Sequence, residues 1–317
     1  MVILAETDYK LPLPLISGDD WPEALSARTI YPELPLGQSW PKISIVTPSF
    51  NQGAYLEKTI RSVLLQGYPN LEYIIIDGGS TDQSVEVIKK YEQWIDFWVS
   101  EKDRGQSHAI NKGLSKASGE LLGWMNSDDY YLPGALLKIA CAYLEETSVG
   151  AIYGQGRIVD RSGAIVYVPK MVPVTKESLF GWSFGNDFMQ PSCLFTRKAF
   201  EESGPIDETL HYAMDLDFWI RIAHNYKFKQ LSDSLSVALS HPVAKTTAMA
   251  ESGLAEVAIV CMRYGEEEFA RQALGKILTK LYLQRDQIHS IKKSISWKIT
   301  KPLRFIRKNI NKGTFNI

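Results

Sequence analysis

Two short apolar runs, residues 43–46 and 73–76, are rich in β-branched side chains, and each ends in turn-forming residues. Runs of this length and composition predict strands of a buried, mostly parallel sheet. Between them Leu56, Ile60, Val63 and Leu64 recur at helical spacing, which predicts an amphipathic helix and hence a βαβ unit. The pattern continues with a helix over 85–91, a strand over 97–100, a helix over 107–114, a buried strand over 121–125 and a helix over 132–144. Residues 151–154 read as a strand, and 157–168 alternate around Arg161-Ser162-Gly163, a hairpin signal. Strands over 193–196 and 235–239 follow, then helices within 251–284.

In an open α/β sheet the ligand lies at the carboxyl ends of the strands, and the polar residues stand there. Thr47, Pro48, Ser49, Phe50 and Asn51 follow the first strand; Asp77, Gly78, Gly79, Ser80, Thr81 and Asp82 follow the second. No G-x-G-x-x-G follows the first strand and no Walker lysine loop occurs, so the usual dinucleotide and P-loop sites are not expected. Asp77, at a strand end, is placed to accept hydrogen bonds from a ribose or a uracil-type N–H. Asp82 is read as the cap of the next helix. Gly105, beside the charged pair Asp103-Arg104 and just before a helix, makes an anion site. The strand over 121–125 ends in Asn126-Ser127-Asp128-Asp129. Adjacent carboxylates are costly unless a cation compensates, and Mg2+ or Mn2+ reaches proteins through one or two carboxylates plus substrate phosphates. The alternative for this pair is a helix N-cap.

The segments TPSFNQ, IIIDGGSTD, SEKDRGQSHAINKGL and GWMNSDD occur in that order, each separated from the next by a strand or a helix. This series resembles the family 2 glycosyltransferases, the large inverting group with the GT-A fold, over residues 42–247. The resemblance implies an α/β chain: a Rossmann-like, mostly parallel sheet flanked by helices, with a C-terminal helical extension. It implies that Asp103, Arg104 and Gln106 help hold a nucleotide, that Asp128 contacts its ribose and that Asp129 binds metal. His241, after the late strand, would complete the metal site, with Lys245 and Thr246 on the diphosphate. The family opens a helix with a Glu-Asp pair whose Asp is the catalytic base. Here Met214 replaces the Glu and Asp215 keeps the Asp position. On a helix Asp215 and Asp217 point about 200° apart, so only one can serve the site while the other supports the helix start.

Three regions are expected: a Pro-rich extension over 1–40, a GT-A domain over 41–250 and C-terminal helices over 251–317. The first carries Pro12, Pro14, Pro22, Pro32 and Pro35, which forbid a long helix. At 317 residues, 45% hydrophobic and 22% charged, the chain supports a sizeable core. A net charge of −1 argues against general nucleic-acid binding. Cys141, Cys193 and Cys261 are odd in number and far apart, forming neither a disulfide framework nor a metal site; each is expected to be buried. No basic region followed by an apolar run opens the chain, and no stretch of about 18 apolar residues occurs. A cytoplasmic protein is expected. Residues 285–317 hold nine Lys or Arg against one acid, a net +8, which leaves −9 for the rest. Trp297, Phe305 and several isoleucines interleave with these charges, which suits the anionic inner face of a membrane; a solvated tail or an oligomer contact is the alternative.

The expected reaction moves a sugar from a nucleotide diphosphate sugar, UDP by default with dTDP or GDP open, to a hydroxyl of a glycan or lipid-linked acceptor. The rivals are a sugar-phosphate nucleotidyltransferase, which would open with a Gly-rich loop that TPSFNQG lacks, and a non-catalytic nucleotide-sugar-binding protein.

Overall fold

Strand β3 (Ile43–Ser49) is buried along its whole length and alternates between two apolar layers. Ile43 and Ile45 join one layer, Val46 the other. Strand β4 (Leu71–Asp77) does the same, with Tyr73 and Ile75 on the first side and Ile74 and Ile76 on the second. A period of two with both faces apolar is what a central parallel strand requires. β3 pairs in parallel with β4 and with β6 (Leu121–Trp124), and β4 pairs in parallel with β5 (Phe97–Ser100). The computed structural model describes residues 4–6, 11, 27–29, 34, 39–181, 188–241 and 250–300. Most of the Pro-rich segment, Lys245, Thr246 and the tail over 301–317 lie outside the described residues.

Helices α1 (Gly53–Leu64), α2 (Ser84–Tyr91) and α4 (Ala135–Glu145) cover the first layer. Helix α3 (Gln106–Leu114) packs on the second, and Gly113 lets it approach β3: a Cβ there would collide with the Val46 side chain. Two short strands, β1 (Leu4–Glu6) and β2 (Ala27–Thr29), pair with each other, and Leu11 joins the first layer.

Beyond β6 the sheet changes character. Its order is β5-β4-β3-β6-β10-β8-β11-β7, with β7 at Tyr130–Tyr131, β8 at Ala151–Val159, β10 at Cys193–Thr196 and β11 at Phe228–Leu239. β10 runs antiparallel to β6 and β8, and β11 pairs in parallel with β8. β9 (Ile165–Tyr167) closes the expected hairpin with β8, and Gly163 takes a positive φ of 84° at its turn. This mixed α/β sheet with flanking helices is the expected GT-A arrangement.

The later helices are α5 (Lys176–Phe180), α6 (Arg197–Ser203), α7 (Met214–Asn225), α8 (Ala250–Arg263), α9 (Glu267–Lys293) and α10 (Ile295–Ile299). Val257, Val260 and Cys261 of α8 and Ala270 and Ala273 of α9 are buried in the same cluster as α3 and α7. Phe180 also belongs to this cluster. From Leu274 onward α9 is largely exposed. One expectation needs correction: Cys193 and Cys261 are buried, but Cys141 is exposed on α4. Its apolar neighbours in sequence point inward, and Cys141 itself falls on the outer face of an amphipathic helix.

Candidate active site

Because β3, β4, β5 and β6 are parallel, Ser49, Asp77, Ser100 and the Asn126–Asp129 loop all emerge at one edge of the sheet. Asp77 is fully buried there. Its carboxylate accepts hydrogen bonds from the backbone of Gly79 (3.1 Å) and Ser80 (2.9 Å) and from the hydroxyls of Ser80 and Ser100 (both 2.6 Å). Both oxygens are thus engaged within the protein, tying the turn after β4 to the end of β5. Asn51, at a left-handed φ of 52°, accepts a 2.8 Å bond from Thr81 N and donates its own N–H to Ser80, joining the two loops. Asp82 accepts from Gly53 N and Ser84 N and so holds the starts of α1 and α2, as expected for a capping residue. Thr47 turns inward, 3.0 Å from the buried Tyr73 hydroxyl. Pro48 and Ser49 are buried with it, and the Ser49 hydroxyl has no partner among the described residues.

Asp103 stands against the β4 turn. A Cβ on Gly78 would lie 2.6 Å from its Oδ2, so the glycine makes room for this carboxylate. Asp103 Oδ1 accepts from Gly105 N at 2.8 Å, which fixes the turn before α3. Arg104 is exposed and forms a 2.6 Å ion pair with Glu208. Gln106 points the other way and donates to Asn126 Oδ1 at 2.7 Å.

Asn126 organises the acidic loop. Its Nδ2 donates to Asp129 Oδ2 (3.0 Å) and to Gln190 Oε1 (3.3 Å), while Gln190 Nε2 donates to the carbonyl of Trp124 (2.9 Å). Asp129 is 6% exposed, and its carbonyl accepts from Thr59 Oγ1. Burial first, and the Asp128 charge second, push the Asp129 carboxyl well above the usual carboxylate range. His241, from the residues after β11, is buried and sets Nε2 3.0 Å from Asp128 Oδ2; its Nδ1 has no partner among the described residues. Its ring lies 4.6 Å from that of Tyr55, whose hydroxyl accepts from Arg161 of the β8–β9 turn. The fold therefore brings His241 to Asp128, the sequence neighbour of Asp129, from a distant segment. Among the described residues no three His, Cys, Asp or Glu side chains form a ready metal cage. The donor types nevertheless suit a hard divalent cation: the Asp129 carboxyl is disfavoured as an anion until a positive charge compensates it, and the His241 imidazole stands against its neighbour Asp128.

Asp215 and Asp217 separate as the helical angle requires. Asp217 is 1% exposed and bonds Arg221 Nε (2.9 Å), Arg263 Nη1 (2.9 Å) and the Tyr264 hydroxyl (3.2 Å). Asp215 is half-buried on the other side of the helix start, its Oδ1 accepting from Leu216 N. Asp217 is therefore the supporting carboxylate of the two. Met214 places its sulfur 2.7 Å from Ser107 Oγ, beside Gln106, which puts the start of α7 next to the end of α3 that bonds the acidic loop. Below, Trp219 of α7 stacks on Trp124, the last residue of β6, at 5.4 Å.

The profile of Glycosyl transferase family 2 matches residues 44–204. The chain belongs to this family of glycosyltransferases. Chondroitin synthase of Escherichia coli is 25% identical over 196 residues, covering 61% of this chain but 28% of its own length. An uncharacterised glycosyltransferase of Rickettsia typhi is 29% identical over 214 residues, covering 64% of this chain and 62% of its own. This chain thus spans less than two thirds of these curated relatives. Among solved structures, residues 1–349 of S. aureus TarS in complex with UDP-GlcNAc superpose with a TM-score of 0.56 at 20% identity, over 81% of this chain and 77% of that one. The mannosyltransferase PcManGT from Pyrobaculum calidifontis, in complex with GDP-Man and Mn2+, gives 0.54 at 16% identity, over 83% and 86%. At these identities the likeness is one of fold. Asp215 and His241 lie beyond the residues matched by the family profile.

Proposed function

We propose that the chain transfers a sugar, with inversion, from a nucleotide diphosphate sugar to a hydroxyl of a glycan or lipid-linked acceptor in cell-surface polysaccharide synthesis. The observation that carries this reading is the contact of His241 with Asp128, beside the buried Asp129, at the carboxyl ends of the parallel strands in a family 2 glycosyltransferase. Two structural neighbours are complexes with sugar nucleotides, UDP-GlcNAc and GDP-Man, which supports the donor class, and the chondroitin synthase likeness supports a polysaccharide product.

Asp129 and His241 would hold Mn2+ or Mg2+, which when bound neutralises charge building on the leaving diphosphate. Asp103 and Gln106 line the nucleotide side, Asp128 takes the ribose, and Lys245 and Thr246 are assigned to the diphosphate. Asp77 and Asn51 shape the base side by fixing the two loops there. Asp215 accepts the acceptor hydroxyl proton as general base, freeing the oxygen to attack the anomeric carbon from the face opposite the departing diphosphate. The basic C-terminal segment brings the enzyme to the anionic inner face of a membrane, where a lipid-linked acceptor would lie. No helix among the described residues is long and apolar enough to cross one.

The test is a panel of UDP, dTDP and GDP sugars with Mn2+ or Mg2+, following release of nucleoside diphosphate. One donor is expected to turn over slowly, and chelation is expected to stop it. Pyrophosphate release from sugar phosphate and nucleoside triphosphate would establish the nucleotidyltransferase instead. Binding without turnover, even when acceptors are added, would leave a non-catalytic sugar-nucleotide protein.

A further inference from the structure

Helix α7 begins without a cap of its own. Its first flanking residue is Ala213, which offers no side-chain acceptor. The chain entering it is held from elsewhere. The carboxylate of Glu256, in the middle of α8, accepts the backbone N–H groups of three consecutive residues: His211 (2.9 Å to Oε2, 3.0 Å to Oε1), Tyr212 (2.6 Å) and Ala213 (3.0 Å). Three converging amides at the positive end of a helix form an anion cradle, and charge-assisted bonds to a carboxylate are the stronger kind. The grip is close: a Cβ on Gly253, one turn earlier in α8, would lie 3.6 Å from Tyr212 Cβ. α8 is itself anchored, with Val257, Val260 and Cys261 in the core and Arg263 paired to Asp207 and Asp217.

We infer that Glu256 is a positioning residue for the transfer reaction, clamping the strand of backbone that delivers Asp215. Asp215 lies two residues beyond the third clamped amide. The opposite side of the approach is fixed too: Asn111 holds Ile206, and Ser107 donates to the carbonyl of Leu210. Residues 206–210 are thus pinned to α3, residues 211–213 to α8, and the next turn of chain carries the carboxylate assigned as base. Glu256 lies outside the residues matched by the family profile, so a helix of the C-terminal extension completes the geometry of the site. The inference rests on the reading of Asp215 as general base.

The full-length protein is compared as wild type, Glu256→Gln and Asp215→Asn, with Glu256→Ala as a second removal of the carboxylate. The activity probe is the donor from the sugar-nucleotide panel that turns over. The second readout is hydrogen exchange at the backbone amides of residues 211–213, followed by mass spectrometry. Glu256→Gln is expected to speed exchange at these amides and to lower kcat by about tenfold or more, in line with the cost of displacing a catalytic group by ångström amounts. KM for the donor is expected to stay within about twofold, since the nucleotide side is built from other elements. Unchanged exchange, or faster exchange with unchanged kcat while Asp215→Asn is inactive, overturns the positioning role and leaves the base assignment standing. If Asp215→Asn keeps full activity, the base reading fails on its own account. A parallel fall in kcat and donor affinity overturns the inference, because it would make Glu256 a general support of the fold.

Discussion

Asp215 and Asp217 are two residues apart, both acidic, both in the first turn of one helix, and the structure gives them opposite environments. Asp217 is enclosed by Arg221, Arg263 and Tyr264; Asp215 is half-buried on the other side. Their substitutions should therefore separate. Asp217→Ala is expected to lower stability by about 3 kcal/mol, because it leaves two guanidinium groups without their shared partner; Arg263 is partly exposed, which keeps the cost at the low end for a broken buried pair. Urea melts measure it, and a change below about 1 kcal/mol would show the cluster to be weakly coupled. Asp215→Asn is expected to leave the melt unchanged and to lower turnover by about 100-fold or more, the range for a lost general base. Collapse of donor affinity with turnover preserved at saturation would make it a binding residue. Asp129→Ala should abolish cation-dependent binding of the nucleoside diphosphate, seen by calorimetry with and without Mn2+; equal binding in both proteins would remove the cation from the mechanism. The sequence supplied the angle between Asp215 and Asp217 but not which of them faces the site. That depends on Arg263 and Tyr264, some 46 residues away. For the same reason the inward turn of Asp77 was not legible: its fourth hydrogen-bond donor, Ser100, comes from another strand.

At the level of elements, each strand of the parallel half is legible in the sequence to within about three residues at its ends, because strands buried on both faces announce themselves as unbroken apolar runs. The mixed half is not. β11 was expected over 235–239 and runs from Phe228, since its first half is half-exposed and carries Lys229, Gln230, Ser232 and Asp233. β7 is only two residues long and exists through pairing with β11, which no local pattern shows. The amino ends of the parallel strands hold a device of the opposite kind to the acidic loop. Glu72 of β4 accepts from Lys42 Nζ (2.8 Å), Ser44 Oγ (2.5 Å) and both the N–H and hydroxyl of Ser118 (2.6 Å each), tying β3, β4 and the approach to β6. Burial alone would raise this carboxyl, but the bonds from Lys42, Ser118 and Ser44 outweigh it and hold it down to about 2, from an ordinary 4.5. A depressed folded-state pKa gives stability that is present above the unfolded value and is lost as pH falls through the window from 4.5 to about 2. Glu72→Gln should lower stability at neutral pH and flatten the acid limb of stability across that window. Urea melts from pH 2 to 6 decide this; parallel curves for the two proteins would show that Glu72 titrates alike in both states.

At the scale of the whole molecule, the chain is asymmetric in charge. Residues 285–317 carry nine Lys or Arg and one acid. Within the described part, Arg285, Lys292 and Lys293 accompany Ile288, Ile291 and Trp297, all at least 37% exposed among the apolar three. Along α9 the exposed Leu274, Leu278, Leu281 and Ile288 share one helical row with Arg285 and Lys292, so the apolar stripe becomes mixed with positive charge as it leaves the core. A row of that kind gains little from water and more from an interface where apolar side chains enter the headgroup boundary and Lys and Arg meet anionic lipid. Each basic residue near such a surface contributes about 1 kcal/mol, and the attraction fades within a Debye length of roughly 8 Å at physiological salt. Full-length protein should therefore co-sediment with vesicles containing anionic lipid, in large part reversibly by salt, and far less with neutral vesicles. Removal of residues 285–317 should weaken that attachment while sparing the fold, because the buried residues of α8 and α9 end at Ala273. Activity on a lipid-linked acceptor should fall more than activity on a short soluble one. Equal sedimentation of the two proteins, or indifference to lipid charge, would turn the row of leucines on α9 into a contact between protein chains, which sedimentation velocity of the full-length protein would then reveal as a concentration-dependent assembly.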